Sequence, residues 1–145
     1  MLALAAVLLV PAGSPAGAET RASIGYAHNA VSATDTVRAN RGMSTFVFSD
    51  CLARLAWAQA HRMARQHRLF HQDLGVPMST CHLTYAGENV ASGFATGSKV
   101  VYDGWMKSPP HRANILSIHY RLMAIGAVRS DDGRWYVSQV FGRHA

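Results

Sequence analysis

Apolar residues along the chain of 145 residues change their spacing between its two halves, and the change separates helical from extended segments. Leu52, Leu55, Ala56 and Met63 recur at helical intervals, with Ala53, Trp57, Ala60 and Ala64 on the adjoining arc. The pattern predicts a helix from Cys51 to about His67, N-capped by Ser49, with an apolar surface wide enough for two packing partners. A weaker helical pattern covers Arg21 to Arg38 and stops at Asn40-Arg41-Gly42. A third helix fits Ser98 to Lys107. Ser108-Pro109-Pro110 breaks it, after which Pro110 can open a short helix through Leu116. Towards the carboxyl end the runs turn β-rich: Leu122 to Arg129 and Arg134 to Phe141 read as strands, and Ser130-Asp131-Asp132-Gly133 as the hairpin turn, with Gly133 at positive φ. Phe46-Val47-Phe48 and Leu83 to Ala86 are shorter strand candidates, and His71 to Ser79, with Gly75 and Pro77, reads as a loop. Helices first and paired strands last predict one α+β domain, helices covering an antiparallel sheet.

The first eighteen residues stand apart from this pattern. Leu2 to Val10 is apolar but too short to cross a bilayer as a helix, and Ala16-Gly17-Ala18 supplies the small-x-small pattern that precedes signal-peptidase cleavage. Residues 1–18 are therefore expected to be a signal peptide and 19–145 the secreted, extracellular domain, although no basic residue precedes Arg21. No later run is long enough to anchor the mature chain in a membrane. Export makes a disulfide the expected use of the two cysteines, Cys51 and Cys81, and no Cys-x-x-Cys or four-ligand zinc pattern competes for them. The net charge of +6 belongs to residues 19–145, since residues 1–18 carry none. Arg54, His61, Arg65 and Arg68, at spacings of seven, four and three, fall along one helix face. Such a face is either simply solvated or attracts an anionic envelope polymer or lipid headgroup. Nucleic acid is not an expected partner, because no zinc-finger, RNP or helix-turn-helix signature accompanies the charge.

Acidic residues are scarce, and of the two glutamates, Glu19 and Glu88, only Glu88 lies away from the cleavage point. Glu88 sits in Gly87-Glu88-Asn89-Val90-Ala91. Phe70-His71-Gln72-Asp73 precedes that stretch. Trp105-Met106-x-Ser108-Pro109-x-His111-Arg112-x-Asn114-Ile115-Leu116 and Trp135-Tyr136-Val137-x-Gln139-Val140-Phe141-Gly142 follow it. In this order the four pieces, spanning about residues 24–142, resemble a bacterial member of the CAP superfamily, also called the SCP or PR-1-like domain. The resemblance implies a three-layer α-β-α sandwich with a small antiparallel sheet. It also implies secretion, and a family linked to sterol or lipid binding, to metal binding in a central cleft and in some cases to proteolysis. Eukaryotic members carry two histidines and two glutamates in that cleft. His71 and Glu88 match one of each, Ser108 stands where the second glutamate would be, and His111 is the candidate for the second histidine.

Three uses of Glu88 are open at this level. With His71 and His111 it could complete a zinc site (Zn2+ with an open fourth position), it could orient an imidazole in a hydrogen-bonded cleft, or it could cap a helix start. Ser108 lies three residues before His111, but a Ser–His pair there would lack an orienting acid, and no Gly-x-Ser-x-Gly elbow occurs. Arg112 and Asn114 are expected to tie loop carbonyls together, and Gln139 is a further residue able to face the cleft. The expected function is a secreted, noncatalytic CAP-type binding domain at or outside the cell envelope. The alternative is a metal-dependent hydrolase using the same cleft.

Overall fold

A computed structural model describes residues 15–145, so residues 1–14 of the expected leader lie outside the described residues. Helix α1 (Pro15–Ala39) is followed by β1 (Val47–Phe48), α2 (Asp50–Gln66), α3 (Gly75–Thr80) and β2 (Tyr85–Ser92). Then come α4 (Gly97–Lys99), α5 (Pro109–Ile115), β3 (Leu122–Arg129) and β4 (Trp135–Arg143).

Local chemistry sets the boundaries of α2. The Ser49 hydroxyl accepts from the Leu52 N–H at 3.3 Å, satisfying one free donor of the first turn. His67, in the left-handed region at φ 48°, ends the helix. Arg68 consequently leaves the basic stripe that the spacing predicted; its guanidinium lies 5.0 Å from the Phe70 ring centroid. Leu52, Ala56, Ala60 and Met63 are fully buried, whereas Trp57 is 52% exposed. The expected second packing partner is therefore missing at Trp57 among the described residues.

The sheet runs in the order β1-β3-β4-β2. β2, β4 and β3 are antiparallel neighbours, while β1 is parallel to β3 and meets it only at Leu122 and Met123. Gly133 in the β3–β4 turn has φ 84°, as expected. Strand alternation sends Ala124 and Val140 towards Leu52 and Ala56 of α2. It sends Met123, Ile125, Ala127, Val137 and Phe141 to the other face, where Tyr26, Ala30, Ala33 and Val37 of α1 pack with Trp105 and Ile115. Helices thus cover both faces, which is the three-layer α-β-α arrangement expected. Cys51 and Cys81 form the expected disulfide, their Cα atoms 5.9 Å apart, tying the start of α2 to the end of α3.

Three segments differ from expectation. The loop after His71 contains α3. The single helix predicted over Ser98 to Lys107 is α4 continued by a π-helical turn, Val100–Gly104, and a 3-10 turn, Trp105–Lys107. The strand predicted at Leu83 starts at Tyr85 and runs on to Ser92, so it takes in Glu88. Arg38, 3% exposed, locks the layers at the far end of α1: its guanidinium donates to the carbonyls of Ser44, Ile115 and Ser117 at 2.7, 2.8 and 3.0 Å.

Candidate functional site

Glu88 lies in the middle of β2, which removes the helix-cap reading: no helix start is there to cap. Its neighbours on β4 fix its direction. Glu88 pairs with Val140, whose side chain meets α2, so the carboxylate points into the α2 layer. The side chain is 1% exposed and every acceptor site is in use. Oε1 accepts from the His71 ring Nδ1 at 2.8 Å and from the Gln72 backbone N–H at 3.2 Å. Oε2 accepts from Gln72 Nε2 at 2.6 Å and from the Ser138 hydroxyl at 2.9 Å. Four donors around a buried carboxylate are what make its burial tolerable.

The same network positions His71. Gln59, fully buried on α2, donates to the Phe70 carbonyl, which holds the 70–72 segment against the helix. Because an ionised carboxylate accepts only, Nδ1 of His71 carries the proton and Nε2 faces outward on a ring that is 58% exposed. The product is an imidazole fixed in one tautomer at the surface, backed by a buried anion.

His111 belongs to the other face of the strand. Asn89, the next residue on β2, points away from α2 and is fully buried. Its Nδ2 donates to the His111 carbonyl at 3.1 Å and to Gln139 Oε1 at 3.0 Å; Gln139 Nε2 donates to Thr34 Oγ1 at 3.0 Å. Asn114 Nδ2 donates to Asn89 Oδ1 at 2.9 Å and to the Glu88 carbonyl at 3.3 Å, anchoring α5 to the edge strand. The segments that carry the two histidines therefore approach the β2 edge from opposite layers. The two rings are close enough to sense each other: burial, with the His71 charge as a second cause, lowers the His111 pKa below its ordinary 6.5.

The other candidates separate cleanly. Ser108 precedes α5 without a side-chain capping bond, and nothing ties its hydroxyl to His71, Glu88 or His111. Arg112 does bind a loop carbonyl, that of Met106, at 3.0 Å. Gln139 is sealed in the core and does not face a cleft. The Thr34–Gln139–Asn89–Asn114 chain escaped sequence reasoning, although period-two alternation at Glu88-Asn89 already required the two side chains to serve opposite faces.

Glu88, its lone pairs taken by four donors, has none left for a metal shared with His71 and His111. Nor do the three donors gather within 4.8 Å of one another; among the described residues the triad that does is His67, Asp131 and Asp132, all exposed. His67 Nε2 lies 3.1 Å from Asp131 and Nδ1 3.4 Å from Asp132.

The sequence profile of the cysteine-rich secretory protein family, CAP, matches residues 31–141. The chain belongs to the CAP family. The uncharacterized protein YkwD of Bacillus subtilis is 30% identical over 125 residues, which are 81% of this chain and 48% of that protein. The CAP domain described here thus spans about half the length of that relative. An extracellular SCP-domain protein of Bacillus anthracis superposes with TM-score 0.76 at 20% identity, over 92% of this chain and 45% of the other. An outer surface protein of Borrelia burgdorferi gives 0.70 at 20% identity, over 79% and 90%. These two likenesses establish a shared fold.

The His111 shift gives a pH prediction for this CAP domain. Above pH 6.5 the ring is neutral in both folded and unfolded chains and contributes nothing. As pH falls below 6.5 the unfolded chain binds the proton first, so stability drops until the folded ring titrates as well. Denaturation midpoints measured from pH 7 to pH 5 should fall more steeply for the wild type than for His111→Asn. Equal slopes would show that the ring is not desolvated.

Proposed function

We propose that the chain is an exported, noncatalytic CAP-type binding domain that works at or outside the cell envelope, presenting His71 as a fixed recognition group and α2 as a basic contact face. The observation that carries this reading is the fourfold-bonded Glu88 carboxylate. An acid whose lone pairs are taken by Gln72, Ser138 and His71 has none free for a metal, and its service is to orient the imidazole. Export is supported by the disulfide and by relatives described as extracellular or outer-surface proteins.

Calorimetric titration with zinc tests the noncatalytic reading. Wild type, His71→Ala and Glu88→Gln should give the same signal; binding lost in both variants would restore the metal-dependent hydrolase. The envelope partner is an anionic surface, either lipid or wall polymer. Arg54 and Arg65 are exposed on α2, and exchanging both for glutamine should abolish most binding to anionic vesicles or wall polymer at low salt. Wild-type binding that ignores salt between about 0.05 and 0.5 M would reject the basic face.

A further inference from the structure

One hollow lies away from Glu88. A groove of about 650 Å3 opens between α1, α2 and β3, and neither His71, Glu88 nor His111 lines it. Its floor, Ile125 to Val128, is open because β1 is two residues long and pairs no further than Met123. At its mouth stand Ile24 of α1, Phe48 of β1 and Trp57 of α2, which are 55, 61 and 52% exposed. Single exposed apolar residues are ordinary; three large ones converging from separate elements on one apolar groove are not.

Two arginines and a histidine flank this mouth. Arg54, His61 and Arg65 stand at −3, +4 and +8 from Trp57, within about 80° of it around the helix. The His61 ring stacks on the Trp57 indole with centroids 5.1 Å apart, and His28 lines the groove on the α1 side. Among the described residues no acidic side chain lines the groove, and Asp50, exposed two turns before Trp57 and about 20° from it around α2, is the one acid on that face of the helix. The nearest hairpin acids on the α2 side, Asp131 and Asp132, are engaged by His67.

We propose that this mouth is a membrane-docking surface: Ile24, Phe48 and Trp57 enter the headgroup–acyl boundary of an anionic bilayer while Arg54 and Arg65 hold its headgroups. The inference rests on the envelope reading above and decides between its two partners. A hydrated wall polymer would satisfy the arginines and leave the apolar side chains in water. A lipid interface takes both, with an aromatic ring at the boundary and basic residues at headgroup level.

Trp57 is a built-in reporter. Of the three tryptophans, Trp105 is 1% exposed and Trp135 packs on Tyr26 with centroids 4.6 Å apart, leaving Trp57 as the exposed indole. The purified full chain is titrated with phosphatidylcholine vesicles, with phosphatidylglycerol-containing vesicles, and with the same vesicles carrying brominated acyl chains. A soluble teichoic-acid polymer is the fourth arm. Anionic vesicles should blue-shift the emission and brominated chains quench it, while the polymer leaves it unshifted. The double variant Ile24→Ser, Phe48→Ser should bind anionic vesicles about tenfold more weakly, its circular dichroism unchanged because both positions are exposed. Residues 1–18 are the same in both proteins, so any affinity they have for lipid cancels in that comparison. Vesicle binding without quenching, or a double variant that binds like the wild type, overturns the proposal. If that binding is still salt-sensitive and lost in Arg54→Gln, Arg65→Gln, the electrostatic reading stands without it. Binding to the polymer alone overturns the lipid surface, and binding to neither overturns both readings.

Discussion

Gly126→Ala is expected to lower stability by about 3 kcal/mol and the thermal midpoint by about 10 °C, because no room exists for a methyl group on β3 beneath α2. A Cβ at that position would lie 2.3 Å from the Trp57 nitrogen, 2.4 Å from the Ala56 carbonyl carbon and 2.5 Å from the Trp57 Cα. All three are backbone atoms, so no side-chain rotation relieves the clash and the helix itself must move off the sheet. The layer that would move carries Trp57 at the groove and, through Gln59, the segment that delivers His71. Gly25 is the internal control. It lies in α1 with nothing within 4 Å of an added Cβ, and Gly25→Ala should raise stability by about 0.5–1 kcal/mol through helix propensity. Calorimetric melting of the two variants measures both signs. A Gly126→Ala protein that melts like Gly25→Ala would mean that α2 does not approach the sheet this closely.

Much of the fold was legible where a local rule has one solution. Ser49 as a cap, Gly133 at positive φ and the Pro-opened α5 each follow from the chemistry of a single residue, and each stands where the sequence placed it to within a residue. Legibility failed where tertiary packing decides. Gly97, whose added Cβ would meet the Tyr26 carbonyl at 2.2 Å and the Ala30 nitrogen at 2.4 Å, is pressed against α1; the segment it opens then widens into a π turn that buries Val100, Val101 and Trp105. No periodicity in Ser98 to Lys107 encodes that change. Trp57 failed for the opposite reason: its helical spacing predicted burial, but β1 ends at Phe48 and brings no partner to cover it.

The site was half legible. His71 and Glu88 were paired from sequence resemblance, and the structure joins them at 2.8 Å. His111 was grouped with them because residue types suggested a ligand set, yet alternation along β2 assigns Glu88 and the Asn89 contact to His111 to opposite layers. Ser138 and Gln72 went unnoticed because a hydroxyl and an amide carry no motif; only the buried acid demanding donors could have pointed to them. The recognition group proposed above is therefore one ring, with a second histidine nearby.

Removing the acid tests that arrangement most severely. Glu88→Ala should cost about 3–5 kcal/mol, because it leaves the Gln72 amide, the Gln72 N–H and the Ser138 hydroxyl buried without an acceptor. Glu88→Gln keeps the shape but turns one acceptor oxygen into a donor, which meets either the Gln72 and His71 donors or the Gln72 and Ser138 donors head on; about 2–3 kcal/mol is expected. Ser138→Ala removes one donor and leaves three, so it should cost only about 1 kcal/mol. Chemical denaturation orders the three variants. Nitrogen NMR of the His71 ring adds a readout that stability alone would not move: the wild type should show the proton on Nδ1, and Glu88→Gln a mixture of tautomers. If His71 keeps the Nδ1 proton after the carboxylate is gone, Glu88 does not orient the imidazole, and the basis for treating His71 as a fixed recognition group is lost.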